Sequence, residues 1–335
     1  MLKVGVIGYG YWGPNLVRNF MTHDDSDVVM VADTQPKRLA QIQKTYPTIE
    51  TTTSAQDIFQ SDTVDAVAIA TPVVTHYDLA LAALQAGKHV LVEKPMASSS
   101  EQAQHLIEEA EKRNLVLMVD HTFVYTGAVR KMAELVRSGQ LGDVYYYDST
   151  RVNLGLFQHD VNVIWDLAVH DLSIIEYVLN AQPRAVSATG MSHVQGEPEN
   201  IAYLTIYYDN NLIAHINVNW LAPVKIRRTL IGGSKQMVVY NALEPSEQIK
   251  IYDKGIDVKT TEEIYNTLIS YRTGDMYAPK LDATEALQRE VAHFVACINA
   301  GDTPETDGHA GLRVVKILEA ASQSIKARGT VVELS

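Results

Sequence analysis

Between Lys3 and Asp120 the sequence alternates repeatedly between short β-branched runs and helical patterns, and that alternation leaves few folds open. The runs are KVGVIG, VVMVAD, AVAIAT, HVLVEK and LVLMVD. Each is apolar almost without a break, as expected of parallel strands covered on both faces rather than one. Between them stand NLVRNFM, PKRLAQIQKTY, HYDLALAALQAG and SSSEQAQHLIEEAEKRN. The last opens on serines and carries acids in its first turns, a helix start. Strand–helix alternation of this kind implies right-handed crossovers and a doubly wound α/β sheet of the Rossmann type.

The first strand runs into Gly8, Gly10 and Gly13, spaced G-x-G-x-x-G. The spacing suits a tight turn, a close backbone approach to a pyrophosphate, and helix–strand packing. Tyr11 and Trp12 lie inside the turn, and Pro14 suits a first helical turn because its missing donor costs nothing there. A purely structural α/β turn is the alternative; the strand before and the helix after favour a dinucleotide cradle. Asp33 ends the second run. An acid there accepts from a ribose 2′-OH and repels a 2′-phosphate, so NAD is expected over NADP. Lys37 and Arg38 follow closely and weaken that preference.

From Val144 onward the pattern changes to longer, partly alternating strands: VYYYDSTRVN, AVSATGMSHV, IAYLTIYY, LIAHINVNWL, IRRTLIGG, KQMVVYN and QIKIYD. YYDNNL reads as a hairpin turn. In LIAHINVNW, Ala214, Ile216, Val218 and Trp220 share one face, with His215, Asn217 and Asn219 on the other. Two helices, roughly 284–299 and 308–327, follow. The expected organisation is a cofactor domain over 1–121 and, over 122–335, an α+β domain on a largely antiparallel, open-faced sheet.

Two clusters carry chemistry. Glu93, Lys94 and Pro95 follow a buried strand, at the carboxyl edge where ligands bind in doubly wound sheets. Partial burial there lowers a lysine's proton affinity; a surface loop with an ion pair is the alternative. In WDLAVHDLSIIEYVL, Asp166 and His170 stand four apart, which on a helix directs them the same way. A histidine exchanges protons near neutrality and an acid beside it orients the ring; a helix cap with a satisfied histidine is the alternative. No metal is expected, because no third and fourth ligand show local spacing.

The 335 residues carry a formal net charge of −12, which argues against a broad nucleic-acid or anionic-membrane surface. No apolar run approaches the ~18 residues of a membrane span, and no secretory leader is expected. The single cysteine, Cys297, cannot form an intramolecular disulfide and sits in an amphipathic pattern as a core residue. A reducing cytoplasm is the expected setting.

GYGYWG, AD, ATPVVTHYDLALAALQAGKHVLVEKPMA, WDLAVHDLSI and the closing FVACINAGDTPETDGHAGLRVVKILEAA together resemble the Gfo/Idh/MocA family of NAD(P)-dependent sugar and cyclitol oxidoreductases. The resemblance spans the chain. It implies Lys94 as the active-site lysine, Asp166 and His170 as the acid–histidine pair with His170 the general base, Thr71, Pro72 and His76 against the cofactor, and Glu93 near the nicotinamide ribose. Trp12 is placed near the pyrophosphate or nicotinamide.

Within the family the chain is most similar to nucleotide-sugar enzymes of the UDP-N-acetylglucosaminuronate 3-dehydrogenase type. The implied substrate is a pyranose carried on UDP or dTDP, with inositol or a free monosaccharide as the alternative. Arg151, Asn153 and Asn162 are candidates for its carboxylate or phosphate, and Tyr125 for the sugar; a solvated strand residue at 151 and core packing at 125 are the alternatives. The family's open sheet face implies a homodimer or homotetramer. NAD-dependent glycosidases and non-catalytic NAD-binding sensors are the other activities the resemblance leaves open; the joint presence of Lys94, Asp166 and His170 argues against a sensor.

Overall fold

The computed structural model describes residues 1–155, 161–179, 181–258 and 269–334. The first part of the chain runs β1 (Leu2–Ile7), α1 (Gly13–Thr22), β2 (Ser26–Ala32), α2 (Pro36–Thr45), β3 (Glu50–Thr52), α3 (Ala55–Gln60), β4 (Ala66–Ile69), α4 (His76–Gln85), β5 (His89–Glu93), α5 (Ser100–Arg113) and β6 (Leu117–Asp120). The six strands form one sheet in the order β3-β2-β1-β4-β5-β6, with every neighbouring pair parallel. The order reverses between β1 and β4, the switch point outside whose carboxyl ends such sheets bind ligands. Of these six strands, β3 is the one absent from the sequence reading. It is a three-residue edge in a polar threonine run, so it lacks the doubly covered pattern.

The next part runs α6 (Gly127–Arg137), β7 (Val144–Leu154), a π-helical turn (Ile164–Ala168), α7 (Val169–Leu179), β8 (Pro183–Met191), β9 (Ile201–Tyr208), β10 (Ile213–Asn219), β11 (Leu221–Gly233), β12 (Met237–Asn241), β13 (Ile249–Tyr252), β14 (Gly255–Val258), β15 (Ile269–Arg272) and β16 (Met276–Tyr277). It is followed by α8 (Ala286–Ala300), α9 (Gly308–Lys326) and β17 (Val332–Glu333). A nine-stranded sheet has the order β16-β13-β12-β11-β7-β10-β9-β8-β17; β10 and β7 pair in parallel, the other pairs antiparallel. β14 and β15 form a separate ribbon.

The turn between β9 and β10 places Asn210 and Asn211 at φ 59° and 60°, the left-handed pair that a two-residue hairpin turn requires and asparagine tolerates. Along β10, Ala214, Ile216 and Val218 are buried, as is Trp220 beyond it. Burying Ile216 and Val218 contributes roughly 1.5–3 kcal/mol each. The opposite face of the sheet presents Tyr203, Tyr207 and Ile213 to solvent.

The residues group into two compact units: 1–126 with 284–316, and 127–283 with 317–335. The segment 284–316, which sequence reading counts with the second domain, therefore belongs with the first. α8 lies across α1, where Phe20 and Phe294 meet edge to face with centroids 6.2 Å apart. Arg18 of α1 grips Glu285 through two hydrogen bonds of 3.0 and 2.6 Å.

Candidate active site

In the first unit the glycine turn closes tightly. Gly8 has φ +93°, and a side chain there would meet the Ala70 carbonyl oxygen at 2.4 Å; at Gly13 it would lie 2.1 Å from the Gly8 oxygen. Gly10 is different: only the Arg38 guanidinium comes near, at 3.7 Å. Internal packing demands two of the three glycines, and the third leaves open space where a phosphate approaches. α1 begins just past the turn, and a helix N-terminus is the end that favours an anion. These residues fit a dinucleotide's pyrophosphate.

Asp33, buried at the end of β2, closes the turn from the side. Its Oδ2 accepts from the Tyr9 amide at 2.7 Å and from Arg38 at 3.2 Å, and its Oδ1 from the Gln35 amide at 2.8 Å. A carboxylate has about four acceptor sites, so capacity for a ribose hydroxyl remains. Arg38 places a cation beside the acid, which offsets the repulsion Asp33 would exert on a 2′-phosphate. Tyr11 projects into solvent, 93% exposed. Trp12 turns the other way: its indole N–H donates to Asp120 Oδ2 at 2.8 Å, tying the turn to the end of β6.

Glu93 and Lys94 lie at the carboxyl end of β5, with Glu93 in register beside Asp120 of β6. The Lys94 amide donates to Glu93 Oε2 at 3.1 Å, and the Lys94–Pro95 peptide is cis. Burial, reinforced by Asp120, holds the Glu93 carboxyl well above the usual carboxylate range. His121, next along the chain, is buried with neither ring nitrogen paired; burial and then Lys94 push it down to about 3.

In the second unit Asn162 caps the segment that carries the acid and the histidine. Its Oδ1 accepts from the Ile164 and Trp165 amides at 3.1 and 3.2 Å, and its amide donates to Glu199 at 3.1 Å. The π-turn that follows changes the spacing argument. Asp166 lies in the π-turn and His170 in α7, so their four-residue separation is not a simple α-helical repeat. Asp166 Oδ2 accepts from the Trp220 indole at 3.1 Å, which fixes the acid against the sheet.

Several expected contacts are revised by burial. Tyr125 is enclosed in the first unit, its hydroxyl 3.1 Å from that of Thr306, so it packs rather than meets a sugar. His76 is buried with its two ring nitrogens facing the Thr71 and Pro95 carbonyls at 2.8 and 2.9 Å; it joins two loops and is closed to a cofactor. Arg151 lies beneath α7, its Nε donating to Asp171 at 2.6 Å, and is not displayed toward a substrate phosphate. Asn162 has the capping role above. Asn153, Thr71 and Pro72 stay at least partly accessible.

Residues 2–121 match the model of the Gfo/Idh/MocA oxidoreductases' NAD-binding Rossmann fold, and residues 129–239 match that of the Gfo/Idh/MocA C-terminal domain. The chain belongs to the Gfo/Idh/MocA oxidoreductase family. It is 28% identical to UDP-N-acetylglucosamine 3-dehydrogenase of Acidithiobacillus ferrooxidans over 94% of either chain. The solved structure of that enzyme superposes with a TM-score of 0.82, covering 97% of this chain and 98% of the other at 26% identity. It is also 25% identical to the NADP(+)-linked scyllo-inositol 2-dehydrogenase of Bacillus subtilis, over 98% of this chain and 95% of that one.

This family member presents functional candidates that sequence reading passed over: Asp120, His121, Trp220 and Glu290. Asp120 and His121 stand at a strand's carboxyl end, a signal available in VDH. Trp220 and Glu290 carry no local signal, because their partners lie far away in the chain.

Proposed function

We propose that the protein is an NAD-dependent dehydrogenase acting on a secondary hydroxyl of a pyranose carried on a nucleotide. What carries the reading is one juxtaposition in the first unit: a dinucleotide turn at the end of β1, with Lys94 at the carboxyl edge of β5, two strands along the same sheet. The bound nicotinamide supplies a hydride acceptor. His170 takes the hydroxyl proton as the C–H bond breaks, a task suited to a group with a reference pKa near ~6.5. Asp166, held by Trp220, stabilises the imidazolium. Lys94 stabilises charge developing on the substrate oxygen. Asp33 binds the adenosine ribose and favours NAD, while Arg38 leaves NADP tolerated. The likeness to a UDP-N-acetylglucosamine dehydrogenase over nearly all of the chain supports a nucleotide-linked sugar. The full-length likeness to inositol dehydrogenases favours a second reading, a free cyclitol or monosaccharide. The enzyme works in the cytoplasm as a homo-oligomer joined through the sheet face that presents Tyr203, Tyr207 and Ile213.

The test is a panel of UDP-sugars, dTDP-sugars, free sugars and inositols, with NAD and NADP, read at the absorbance of the reduced cofactor. Net accumulation with a UDP- or dTDP-linked pyranose is expected; turnover of the sugar without accumulation would mark a glycosidase instead. Lys94→Ala and His170→Ala should each keep cofactor binding and lose at least ~10²-fold in turnover. Near-normal turnover in either removes that residue from the mechanism.

A further inference from the structure

α8 reads as an ordinary amphipathic helix, yet its Glu290 is wholly enclosed. Among the described residues neither of its carboxyl oxygens meets an N–H or O–H donor. The polar groups facing it are Asp120 of β6, within hydrogen-bonding reach, Glu93 of β5, and Thr122 and Tyr125 of the segment after β6. Thr122 relieves the acid only slightly, because its hydroxyl and its amide donate to Asp120 Oδ1 at 2.5 and 3.2 Å. A buried carboxylate with no donor is too costly to persist, whereas the neutral acid supplies a donor of its own.

Asp120 is the acid whose oxygens already accept side-chain donors, from the Thr122 hydroxyl and the Trp12 indole. Glu93 and Glu290 lie on either side of it. Like charges so placed cannot all ionise, and burial, then Asp120, pushes both glutamates up. Lys94 faces Glu93 as a balancing cation. His121, also under the influence of Lys94, is neutral and adds no charge.

We propose that Glu290 is a positioning residue for the cofactor turn: as the undissociated acid it donates to Asp120, and Asp120 in turn holds the Trp12 indole at the start of α1. The proposal rests on the reading that the glycine turn receives the cofactor's pyrophosphate. Loss of the Glu290 proton sets a second negative charge against Asp120, drives the two carboxylates apart and releases Trp12. A single proton on α8 thus acts as the latch of a turn more than 270 residues earlier in the chain.

The test begins without cofactor. The protein has three tryptophans, and ¹⁵N labelling resolves their indole N–H signals, with Trp12 assigned by its loss in Trp12→Phe. The Trp12 signal of the wild type should move on titration toward alkaline pH. Glu290→Gln, whose amide still donates to Asp120 but has no proton to lose, should keep the wild-type signal at neutral pH and abolish that movement. Glu290→Ala should shift the signal at every pH. NAD or NADP affinity by calorimetry, with whichever the wild type binds, should fall about tenfold in Glu290→Ala and stay within about twofold in Glu290→Gln. Adding Glu290→Ala to Trp12→Phe should cost nothing further, since both act through one contact. An unmoved Trp12 signal in Glu290→Ala, or a Gln variant no better than Ala, overturns the latch. Should Glu290→Ala fail to fold, the wild-type and Gln titrations decide alone. If the wild type binds neither dinucleotide, the reading of the turn fails while the indole signals still decide the role of Glu290.

Discussion

Each unit buries a polar cluster, and the two are held by opposite means. In the second, Arg151 and Asp171 neutralise one another: the guanidinium donates to the carboxylate at 2.6 and 3.3 Å, and Ser149 adds a hydroxyl at 2.7 Å. Burial opposes the charge on Arg151, and Asp171 more than restores it. In the first, three acids, Glu93, Asp120 and Glu290, lie together with Lys94 as a cation facing Glu93, and burial followed by Asp120 pushes the proton affinity of both glutamates up. An ion pair is insensitive to pH across the neutral range. A set of shared protons is not, so the cofactor-binding unit is the one whose buried polar groups respond to pH.

The largest expected effect breaks the ion pair. Asp171→Ala leaves Arg151 enclosed without its anion and should cost about 3–5 kcal/mol in urea unfolding. Replacing both partners together, Arg151→Met with Asp171→Leu, should recover most of that loss, because the cost lies in the orphaned charge. A loss equally large in the double variant would show that the pair contributes net attraction.

A smaller effect separates the clusters by pH. Glutamate titrates near ~4.3 when unfolded, and Glu93 keeps its proton above that value in the fold. The folded state then binds more protons than the unfolded one, so this contribution to stability is complete below ~4.3 and is lost as pH rises toward the raised native value. Glu93→Gln has nothing to lose, and its stability relative to wild type should climb by up to about 1.4 kcal/mol per pH unit over that window. Asp171→Asn measured in parallel should show no such climb above ~pH 5, where an aspartate near ~3.9 is already ionised in the unfolded chain.

The smallest effect concerns the pair of partly exposed Arg38 and buried Asp33. Arg38→Ala removes the cation beside Asp33 and should shift the NAD-to-NADP affinity ratio toward NAD by roughly three- to tenfold, about a kcal/mol as expected of an exposed charge contact. An unchanged ratio would place Arg38 outside cofactor selection.

Parallel strands, glycine turn and hairpin were all legible, because each depends on residues a few positions apart: the run KVGVIG, the spacing of Gly8 to Gly13, the asparagines at 210 and 211. The buried clusters were not. Arg151 on a partly alternating strand resembles any solvated strand residue, and only the packing of α7 over β7 brings Asp171 to it. Glu290 occupies what looks like the polar side of α8, because nothing local announces that α8 returns to the first unit. The π-turn at Ile164–Ala168 was equally hidden, since one extra residue in a helical turn leaves little trace in hydrophobic spacing.

That return of α8 has a consequence for how the protein is made. A ribosome finishes β6 early, but the covering segment 284–316 emerges only after all of 127–283, roughly ten to thirty seconds later at ~5–20 residues per second. Through that interval Asp120, Glu93 and the inner face of α1 wait uncovered on a nascent chain. The amino-terminal sheet is thus completed last, and a fragment ending at residue 126 would carry the whole glycine turn yet lack the lid that makes its interior dry.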